Sequence, residues 1–350
     1  MVTSIKVSNW EIGPGKPCFI IAEAGVNHNG RMDLAKDLID AAVQAKVNAI
    51  KFQTFKTENM ITKQAPKAKY QLDATGNDRS QFDMLQSLEL SYHQFQELYD
   101  YCQEKQILFL SSPFDEESVE FLETLGVAAF KLGSGEITNL PLLTQVARKS
   151  KPILLSTGMS YLGEVETAVH TIFNVGNRKL ALFHCTSNYP TVPQDVNLRA
   201  MQTLISAFGL PVGYSDHTEG IEISLAATAL GACMIEKHFT LDRSLPGPDH
   251  RSSLEPKELE ALVTGIRKVE ASLGSSQKAP NSSELNTALA ARKSLVAAID
   301  IPANTTLTEA LIAIKRPGDG LPPAMRPFLV GRTTRIDIKS GELIKLEYLL

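Results

Sequence analysis

The sequence FIIAEAGVNHNGRMDLAKDLIDAAVQAKVNAIKFQTF, residues 19–55, contains a complete strand–helix–strand unit. Apolar and β-branched residues form one run at Phe19–Glu23 and a second run at Ala49–Phe55. The segment between them, near Asp33–Lys46, has the amphipathic pattern of a helix. Strands that are apolar throughout and alternate with helices are typical of a parallel sheet that is covered on both faces.

The same alternation recurs along the first two-thirds of the chain and gives eight such units. The remaining predicted strands are Ile107–Phe114, Ala129–Gly135, Ile153–Met159, Leu180–Ser187, Val212–His217 and Cys233–Thr240. The remaining predicted helices lie near Tyr92–Lys105, Glu116–Leu125, Leu140–Lys149, Gly163–Phe173, Leu198–Phe208, Ile221–Leu230 and Pro256–Leu273. Eight repeats favour an α/β fold with a closed (β/α)8 TIM barrel. An open doubly wound sheet is the alternative, although no G-x-G-x-x-G motif follows the first strand.

The composition of the chain changes near Gly274, where the polar, serine-rich stretch GSSQKAPNSSE begins. Such a stretch is typical of a linker. Short apolar runs with frequent glycine and proline follow it, and they predict a small domain of short strands and irregular structure. We therefore predict a barrel domain over residues 1–273, a linker over 274–290 and a second domain over 291–350.

Composition and charge narrow the class of protein. The 350 residues are 43% hydrophobic and 21% charged, with a formal net charge of −4 and no basic stripe, so nucleic acid is not an expected partner. The apolar runs are shorter than the roughly 20 residues of a membrane span, and we expect neither a membrane segment nor a signal peptide. The four cysteines form no C-x-x-C pair, which favours buried free thiols and a cytoplasmic location.

Polar residues stand at the carboxyl end of every predicted strand, where barrel enzymes carry their reacting groups. Two lysines, Lys51 and Lys131, together with serines at several strand ends, suit an anion such as phosphate. The histidines at two strand ends, His217 and His238, suit a divalent metal with open coordination positions. Each residue alone has a simpler structural explanation, but eight polar strand ends do not, because barrel cores prefer Val, Ile and Leu.

A long insertion, Lys56–Leu90, follows the second predicted strand and contains Lys63, Lys67, Tyr70 and Gln71. Long loops at this end of a barrel often form part of an active site or its lid. The alternative is a basic loop that is simply solvated.

Several strings of this sequence resemble the sialic acid synthase family. They are IAEAGVNHNG, KFQTF, SSPFD, KLGSGE, LLSTGM, HCTSNYP, GYSDHT, EKHFTLD and PGPDH, and the C-terminal IKRPGDGLPP and VGRT resemble that family's antifreeze-like (SAF) domain. The resemblance implies a metal-dependent condensation of phosphoenolpyruvate with N-acetylmannosamine, which gives N-acetylneuraminate and phosphate. It also implies a domain-swapped homodimer and a divalent metal, with Mn²⁺ as the first choice and Mg²⁺ or Co²⁺ as alternatives.

The resemblance assigns roles to individual residues. His217 and His238 match the metal ligands, and Arg316 matches an arginine that the partner subunit sends to the acetamido group. Residues that match phosphoenolpyruvate contacts are Lys51, Ser112, Lys131, Ser134, Ser156 and Ser215, and those that match sugar contacts are Glu23, Gln53, Tyr189 and Asp249. Carboxylates must manage protons in this reaction, and the candidates are Glu23, Glu136 and Glu236, with Glu23 preferred. Glu136 equally suits a helix N-terminus, and we expect Asp216 to face outward or to support a ligand.

Other functions stay open from the sequence. Legionaminic and pseudaminic acid synthases share these motifs but use a diacetamido deoxy sugar, whereas the run APKAKYQ resembles the N-acetylneuraminate group more. A phosphorylated acceptor sugar is a further variant. A Schiff-base aldolase with Lys131 or Lys51 as nucleophile is a second reaction class, but it leaves the two histidines unexplained. The last sixty residues alone suggest a carbohydrate- or ice-binding protein.

Overall fold

The computed structural model describes residues 2–76 and 80–350, so residues 77–79 of the predicted insertion lie outside the described part. The chain divides into two compact units, one that ends at Gly274 and one over Ser275–Leu350. The first unit begins with a two-stranded antiparallel hairpin, β1 (Ile5–Val7) and β2 (Trp10–Ile12).

Eight parallel strands follow the hairpin and form one sheet. They are β3 (Phe19–Gly25), β4 (Ala49–Thr54), β5 (Leu108–Pro113), β6 (Phe130–Leu132), β7 (Ile153–Ser156), β8 (Leu180–Cys185), β9 (Val212–Asp216) and β10 (Met234–His238). Neighbours in the sheet are neighbours in the chain, the last strand β10 pairs with the first, and β6 lies against β5. The predicted (β/α)8 barrel is therefore confirmed, and the open-sheet alternative is wrong, because pairing of the last barrel strand with the first closes the sheet.

At least one helix follows each barrel strand. The helices are α1 (Met32–Gln44), α2 (Thr57–Met60), α3 (Lys69–Thr75), α4 (Gln81–Gln86), α5 (Tyr92–Glu104), α6 (Glu116–Leu125), α7 (Leu140–Arg148), α8 (Leu162–Asn174), α9 (Pro193–Val196), α10 (Ala200–Phe208), α11 (Glu222–Ala229) and α12 (Pro256–Leu273). Side chains cap several of them: Ser91 accepts from the Gln94 amide and Asp115 from the Ser118 amide, which satisfies donors that the first helical turn leaves free.

The interior of the barrel changes character along its axis. At the amino-terminal end, Ile5, Val7 and Ile12 of the hairpin pack in one buried cluster with Phe19 and Phe183 of the barrel strands. This apolar plug fills the bottom of the barrel, so the space for a ligand lies at the carboxyl-terminal end, as in other barrels of this architecture.

The insertion after β4 is more ordered than a loop. It contains the three short helices α2, α3 and α4, and its apolar side chains Met84, Leu85 and Leu88 pack in a buried cluster with Val26 and Phe55. Lys67 is also buried, and its Nζ donates to the Thr75 hydroxyl at 3.0 Å. The expectation of a long loop is therefore corrected, because this segment has a small core of its own.

The second unit contains two antiparallel strands, β11 (Ser294–Ala297) and β12 (Ile312–Lys315), and two short helices, α13 (Leu285–Ala291) and α14 (Arg326–Leu329). The other predicted apolar runs contribute only isolated bridges, such as Ile301 with Ile338. A cluster around Leu295 and Ile344 forms its core. The unit is small and mostly irregular with one short antiparallel sheet, in line with the prediction, and all of α13 except Ala291 lies in the stretch that the sequence indicates as a linker.

All four cysteines are buried as free thiols. Among the described residues, no helix combines the length and the apolar composition that crossing a membrane requires.

Candidate active site

The carboxyl-terminal ends of the barrel strands surround a cavity of about 350 Å³. Parallel strands bring all their carboxyl ends to the same side, so residues far apart in sequence meet there. The predicted site residues that line the cavity are Glu23, Lys51, Gln53, Ser112, Lys131, Ser134, Ser156, Tyr189, Ser215, His217, Glu236, His238 and Asp249.

Two predicted residues are placed elsewhere. Glu136 is half-buried in a short 3-10 helix next to the cavity, outside the lining residues, and its Oε2 accepts from the Asn139 amide at 2.7 Å. Arg316 belongs to the second unit, where it is exposed directly after β12. The roles of Glu136 and Arg316 stay predictions.

We call the charged lining residues Glu23, Lys51, Lys131 and Glu236, together with the serines that contact them, the floor of the cavity. One side of this floor is a buried ion pair. Glu23 on β3 and Lys51 on β4 are register partners, and Lys51 Nζ lies 2.7 Å from Glu23 Oε2. Lys51 also donates to the Ser112 hydroxyl at 3.2 Å, while Gln53 Nε2 donates to Glu23 Oε1 at 3.2 Å. The pair therefore arises from the sheet register, which places consecutive inward positions of three adjacent strands side by side.

The other side of the floor is organised around Glu236. Its Oε1 lies 3.4 Å from Lys131 Nζ and accepts from the Ser215 hydroxyl at 3.2 Å, and its Oε2 lies 3.9 Å from Lys51 Nζ. Lys131 Nζ donates to the Ser156 hydroxyl at 2.7 Å. Glu236 thus stands between two ammonium groups, each of which also contacts a serine hydroxyl that can bind an anion.

Burial and neighbouring charges shift the pKa values of Glu23 and Glu236 in opposite directions. Burial raises the pKa of Glu23, and the negative Glu236 adds to this, although Lys51 opposes it. Burial by itself would raise the pKa of Glu236 too, but Lys131 and Lys51 together hold that pKa below its usual value. Glu236 is therefore an ionised partner for positive charge, and Glu23 is the better proton carrier near neutral pH.

His217 and His238 lie side by side in the cavity wall, with ring centroids 5.5 Å apart. His217 Nδ1 is 2.7 Å from the Thr186 carbonyl oxygen, which only accepts, so Nδ1 carries the proton and Nε2 keeps its lone pair. His238 Nδ1 is buried without a hydrogen-bond partner among the described residues. Burial lowers the pKa of His217 to about 4 and that of His238 well below its usual value. Both rings are neutral, which is the metal-binding form.

The histidine pair fits a metal that takes its remaining ligands from water or substrate. Within residues 2–76 and 80–350, no group of three or more His, Cys, Asp or Glu side chains is arranged to hold an ion. Two neutral imidazoles with an unpartnered nitrogen therefore supply only part of a coordination sphere, as open catalytic sites do.

A row of tilted aromatic rings in contact joins the histidines to the insertion. Tyr189 lies with its ring centroid 4.2 Å from that of His217, and Tyr70 of α3 lies 4.9 Å from Tyr189. Asp249 lines the cavity beside them, and burial raises its pKa to about 6, with Lys51 opposing. The insertion is therefore part of the cavity wall.

That wall, which we call the insertion wall, consists of lining residues Met60, Ala68, Tyr70, Gln71, Gln81 and Leu85. Gln81 Nε2 donates to Gln71 Oε1 at 3.1 Å, and the same oxygen accepts from a backbone amide of the insertion. No charged side chain belongs to this set, in contrast to the floor.

Sequence reasoning missed Gln81, Leu85 and Cys185 as lining residues. No motif marks Gln81 or Leu85, and only their place in the insertion pointed to them. Cys185 lies 3.0 Å from the Ser134 hydroxyl, from Sγ to Oγ, at the end of β8. The period of two along a strand, counted back from Ser187, is the signal that could have found it.

Neutral histidines beside two buried lysines, at the carboxyl-terminal mouth of a (β/α)8 barrel, define an enzyme that can combine an anionic substrate with a metal ion. The chain belongs to the NeuB family, whose model matches residues 38–278, and residues 292–349 match the SAF domain. The resemblance to the sialic acid synthases is thereby confirmed, as is the prediction of an enzyme.

Three similar proteins carry more detail. An N,N'-diacetyllegionaminic acid synthase of Campylobacter jejuni is 48% identical over 332 residues, which cover 94% of this chain and 99% of the relative. An N-acetylneuraminate-9-phosphate synthase of Mus musculus is 38% identical, over 96% of this chain and 94% of the relative. The crystal structure of an N-acetylneuraminic acid synthetase from Leptospira borgpetersenii, in complex with citrate, matches with a TM-score of 0.72 and 39% identity. That match covers 82% of this chain and 95% of the other.

The chain is more identical to the diacetyllegionaminic acid synthase (48%) than to the N-acetylneuraminate-9-phosphate synthase (38%). This difference supports the alternative of a diacetamido deoxy sugar better than N-acetylmannosamine, the acceptor that the run APKAKYQ favours. That run lies in the insertion, and a short string is a weaker indicator of the acceptor than similarity over nearly the whole chain.

Proposed function

We propose that this enzyme condenses phosphoenolpyruvate with a diacetamido deoxy sugar and forms N,N'-diacetyllegionaminic acid and phosphate. The observation that carries the proposal is the division of one cavity into a charged floor and the uncharged insertion wall. The similarity to a synthase of that product, over almost the full length of both chains, supports the same conclusion.

The floor suits the anionic donor. Two buried ammonium groups, Lys51 and Lys131, face the same space, and each also lies near a carboxylate. The hydroxyls that can bind phosphate and carboxylate oxygens are those of Ser112, Ser134, Ser156 and Ser215. Hydrogen bonds to charged groups are roughly twice as strong as neutral ones, so this set holds the donor firmly.

The insertion wall suits the acceptor. A second acetamido group and a deoxy methyl group present amide and apolar surface where a simpler sugar presents hydroxyls. Gln71 and Gln81 offer amides, and Leu85 and Met60 offer apolar surface. A hydroxyl placed against apolar side chains would lose its hydrogen bonds to water, which is costly.

The residues of the floor then share the chemistry. The enol carbon of phosphoenolpyruvate attacks the open-chain aldehyde, and Glu23 gives a proton to the oxygen that becomes a hydroxyl. Ionised Glu236 stabilises the positive charge at the former enol carbon, and water adds to that carbon and returns a proton to Glu23. The tetrahedral intermediate releases phosphate by C–O cleavage. A divalent metal held by His217 and His238 would supply Lewis-acid polarisation of an oxygen in this site.

Further parts of the proposal rest on the family resemblance. Mn²⁺ is the metal of first choice, with Mg²⁺ and Co²⁺ as alternatives. A homodimer in which each SAF domain reaches the partner's barrel would bring Arg316 to the acetamido group. A cytoplasmic location fits four buried free thiols.

The test is phosphate release from phosphoenolpyruvate by the purified protein with a panel of acetamido sugars. We expect Mn²⁺-dependent release with the diacetamido trideoxy sugar. Its kcat/KM should be at least about tenfold above that with N-acetylmannosamine, because one substituent that fits a pocket usually changes kcat/KM by this much. Preference for N-acetylmannosamine would contradict the proposed acceptor. The panel also contains a phosphorylated acetamido sugar, and preference for that sugar would contradict the proposed acceptor too. No release with any sugar, together with inactivation by borohydride and substrate, would favour the aldolase instead.

A further inference from the structure

A second buried ion pair lies on β9 and β10, on the face of the sheet that points away from the cavity. Asp216 on β9 and Lys237 on β10 are register partners, and Lys237 Nζ lies 2.9 Å from Asp216 Oδ2. Both side chains are 0% exposed. Neither residue lines the cavity. Asp216 therefore points away from the cavity, in line with the prediction that it faces outward, and its partner there is Lys237.

Every position next to this pair belongs to the active site. Side chains alternate along a strand, so the neighbours of two outward residues point inward. The inward neighbours are Ser215 and His217 on one strand, and Glu236 and His238 on the other. The pair therefore joins the two strands at positions directly adjacent in sequence to His217, His238 and Glu236.

Neutral groups form hydrogen bonds with both members of the pair. Asp216 Oδ1 accepts from the Thr218 amide at 2.8 Å and from its hydroxyl at 2.7 Å, and Oδ2 accepts from the Ser224 hydroxyl of α11 at 2.6 Å. Lys237 Nζ also donates to the Thr218 carbonyl at 2.5 Å. A buried network of polar groups that bond to one another in this way favours one arrangement over its alternatives.

We propose that the Asp216–Lys237 pair positions the active site by fixing the register of β9 against β10, so that His217 and His238 face each other across the cavity wall. A slip of one residue would turn every inward side chain outward and leave a charge without its partner. The pair acts through the two strands and not on substrate, so both members are positioning residues. This inference rests on the proposed function in one respect, the binding of a divalent metal by His217 and His238.

The test compares wild type with the double variant D216N/K237M, which replaces the ion pair with uncharged groups of similar size. Such replacements of buried pairs are often neutral for stability, so folding is expected to persist and is checked by thermal unfolding. Y101F is the control, because it removes a hydrogen bond from Tyr101 to Asp40 that is remote from β9 and β10.

Two readouts separate positioning from simple stabilisation. In metal-free, histidine-labelled protein, NMR detects the His217 Nδ1–H that donates to Thr186. We expect the double variant to lose this signal and to bind Mn²⁺ about 10- to 100-fold more weakly, the usual effect of groups that orient metal ligands. Y101F should match wild type in both. A folded double variant that keeps the signal and the Mn²⁺ affinity overturns the proposal.

A milder variant keeps the test decisive if the double variant does not fold. S224A removes only one donor to Asp216, and we expect a weaker His217 signal and a severalfold loss of Mn²⁺ affinity. An unchanged signal and affinity in S224A would overturn the proposal too. Failure of wild type to release phosphate would count against the proposed function alone, because the imidazole signal is read without metal, substrate or turnover.

Discussion

The floor and the insertion wall line one cavity but are built in different ways. Floor residues such as Lys51, Lys131 and Glu236 stand on barrel strands, are almost fully buried and contact one another through charges. Wall residues such as Gln81 and Leu85 stand on a short helix of an insertion and contribute amide and apolar surface. Under the proposed function, the sheet carries the charged groups for the chemistry, and the insertion carries the groups that would distinguish one sugar from another.

This difference has a physical basis. Charged groups that stabilise a transition state must be fixed before the reaction, because reorganising them would consume the energy they provide. Recognition of a neutral sugar substituent needs only shape and a few matched hydrogen bonds. Changes to the floor should therefore affect every substrate equally, whereas changes to the wall should alter the preference among acceptors.

Removal of the metal should have the largest effect. We expect dialysis against EDTA to reduce phosphate release below detection with every sugar, and added Mn²⁺ to restore it, because two neutral histidines are present to hold an ion. The variant H238A should not recover with Mn²⁺ at concentrations that saturate wild type. Full activity after verified metal removal would contradict the role of the histidine pair.

Loss of one floor cation should have the next largest effect. Lys131→Met is expected to lower kcat/KM by about 10²- to 10³-fold with all acceptors, because a buried charge aimed at the donor disappears. Steady-state kinetics with two acceptor sugars measure this. The control is Lys36→Met, at a half-exposed position on α1. A Lys131→Met defect that is confined to one sugar would break the distinction between floor and wall.

A change in the wall should be smaller and selective. Leu85→Asn is expected to reduce the preference for the diacetamido sugar over N-acetylmannosamine by roughly tenfold, the scale of a few apolar groups in a pocket. The KM for phosphoenolpyruvate should stay near the wild-type value. Leu72→Asn, at an exposed position of α3, is the matched control in the same insertion. Equal losses with both sugars would show that Leu85 acts on stability and not on specificity.

Loss of a contact in the row of tilted aromatic rings between the wall and the histidines should give the smallest effect. Tyr70→Ala removes a ring contact with Tyr189, and pairs of this kind contribute about 0.5–1.5 kcal/mol. We expect a rise of about 2- to 10-fold in the acceptor KM, with little change in kcat. Tyr70→Phe keeps the ring and should behave as wild type. If Tyr70→Phe instead raised the acceptor KM well above the wild-type value, the hydroxyl of Tyr70 would have a direct role.

Much of the floor was predictable from sequence, and the wall was not. Lys51 and Lys131 lie within buried strands and His217 directly follows one, and the barrel rule places the ends of such strands together. Gln81 and Leu85 sit in a segment without a periodic signal, so only folding of the insertion could show that they reach the cavity. The helices of that insertion were missed for the same reason, since they are short and depend on packing for stability.

The order of strands and helices, the buried cysteines and the polar strand ends follow from local patterns, because periodicity and burial are properties of neighbouring residues. Which groups pair is a different matter. That Lys51 contacts Glu23, and that Lys237 faces outward to Asp216 although it stands between two inward residues, depends on the register of adjacent strands. Register is set by contacts between segments distant in the chain, and those contacts exist only once the barrel has closed.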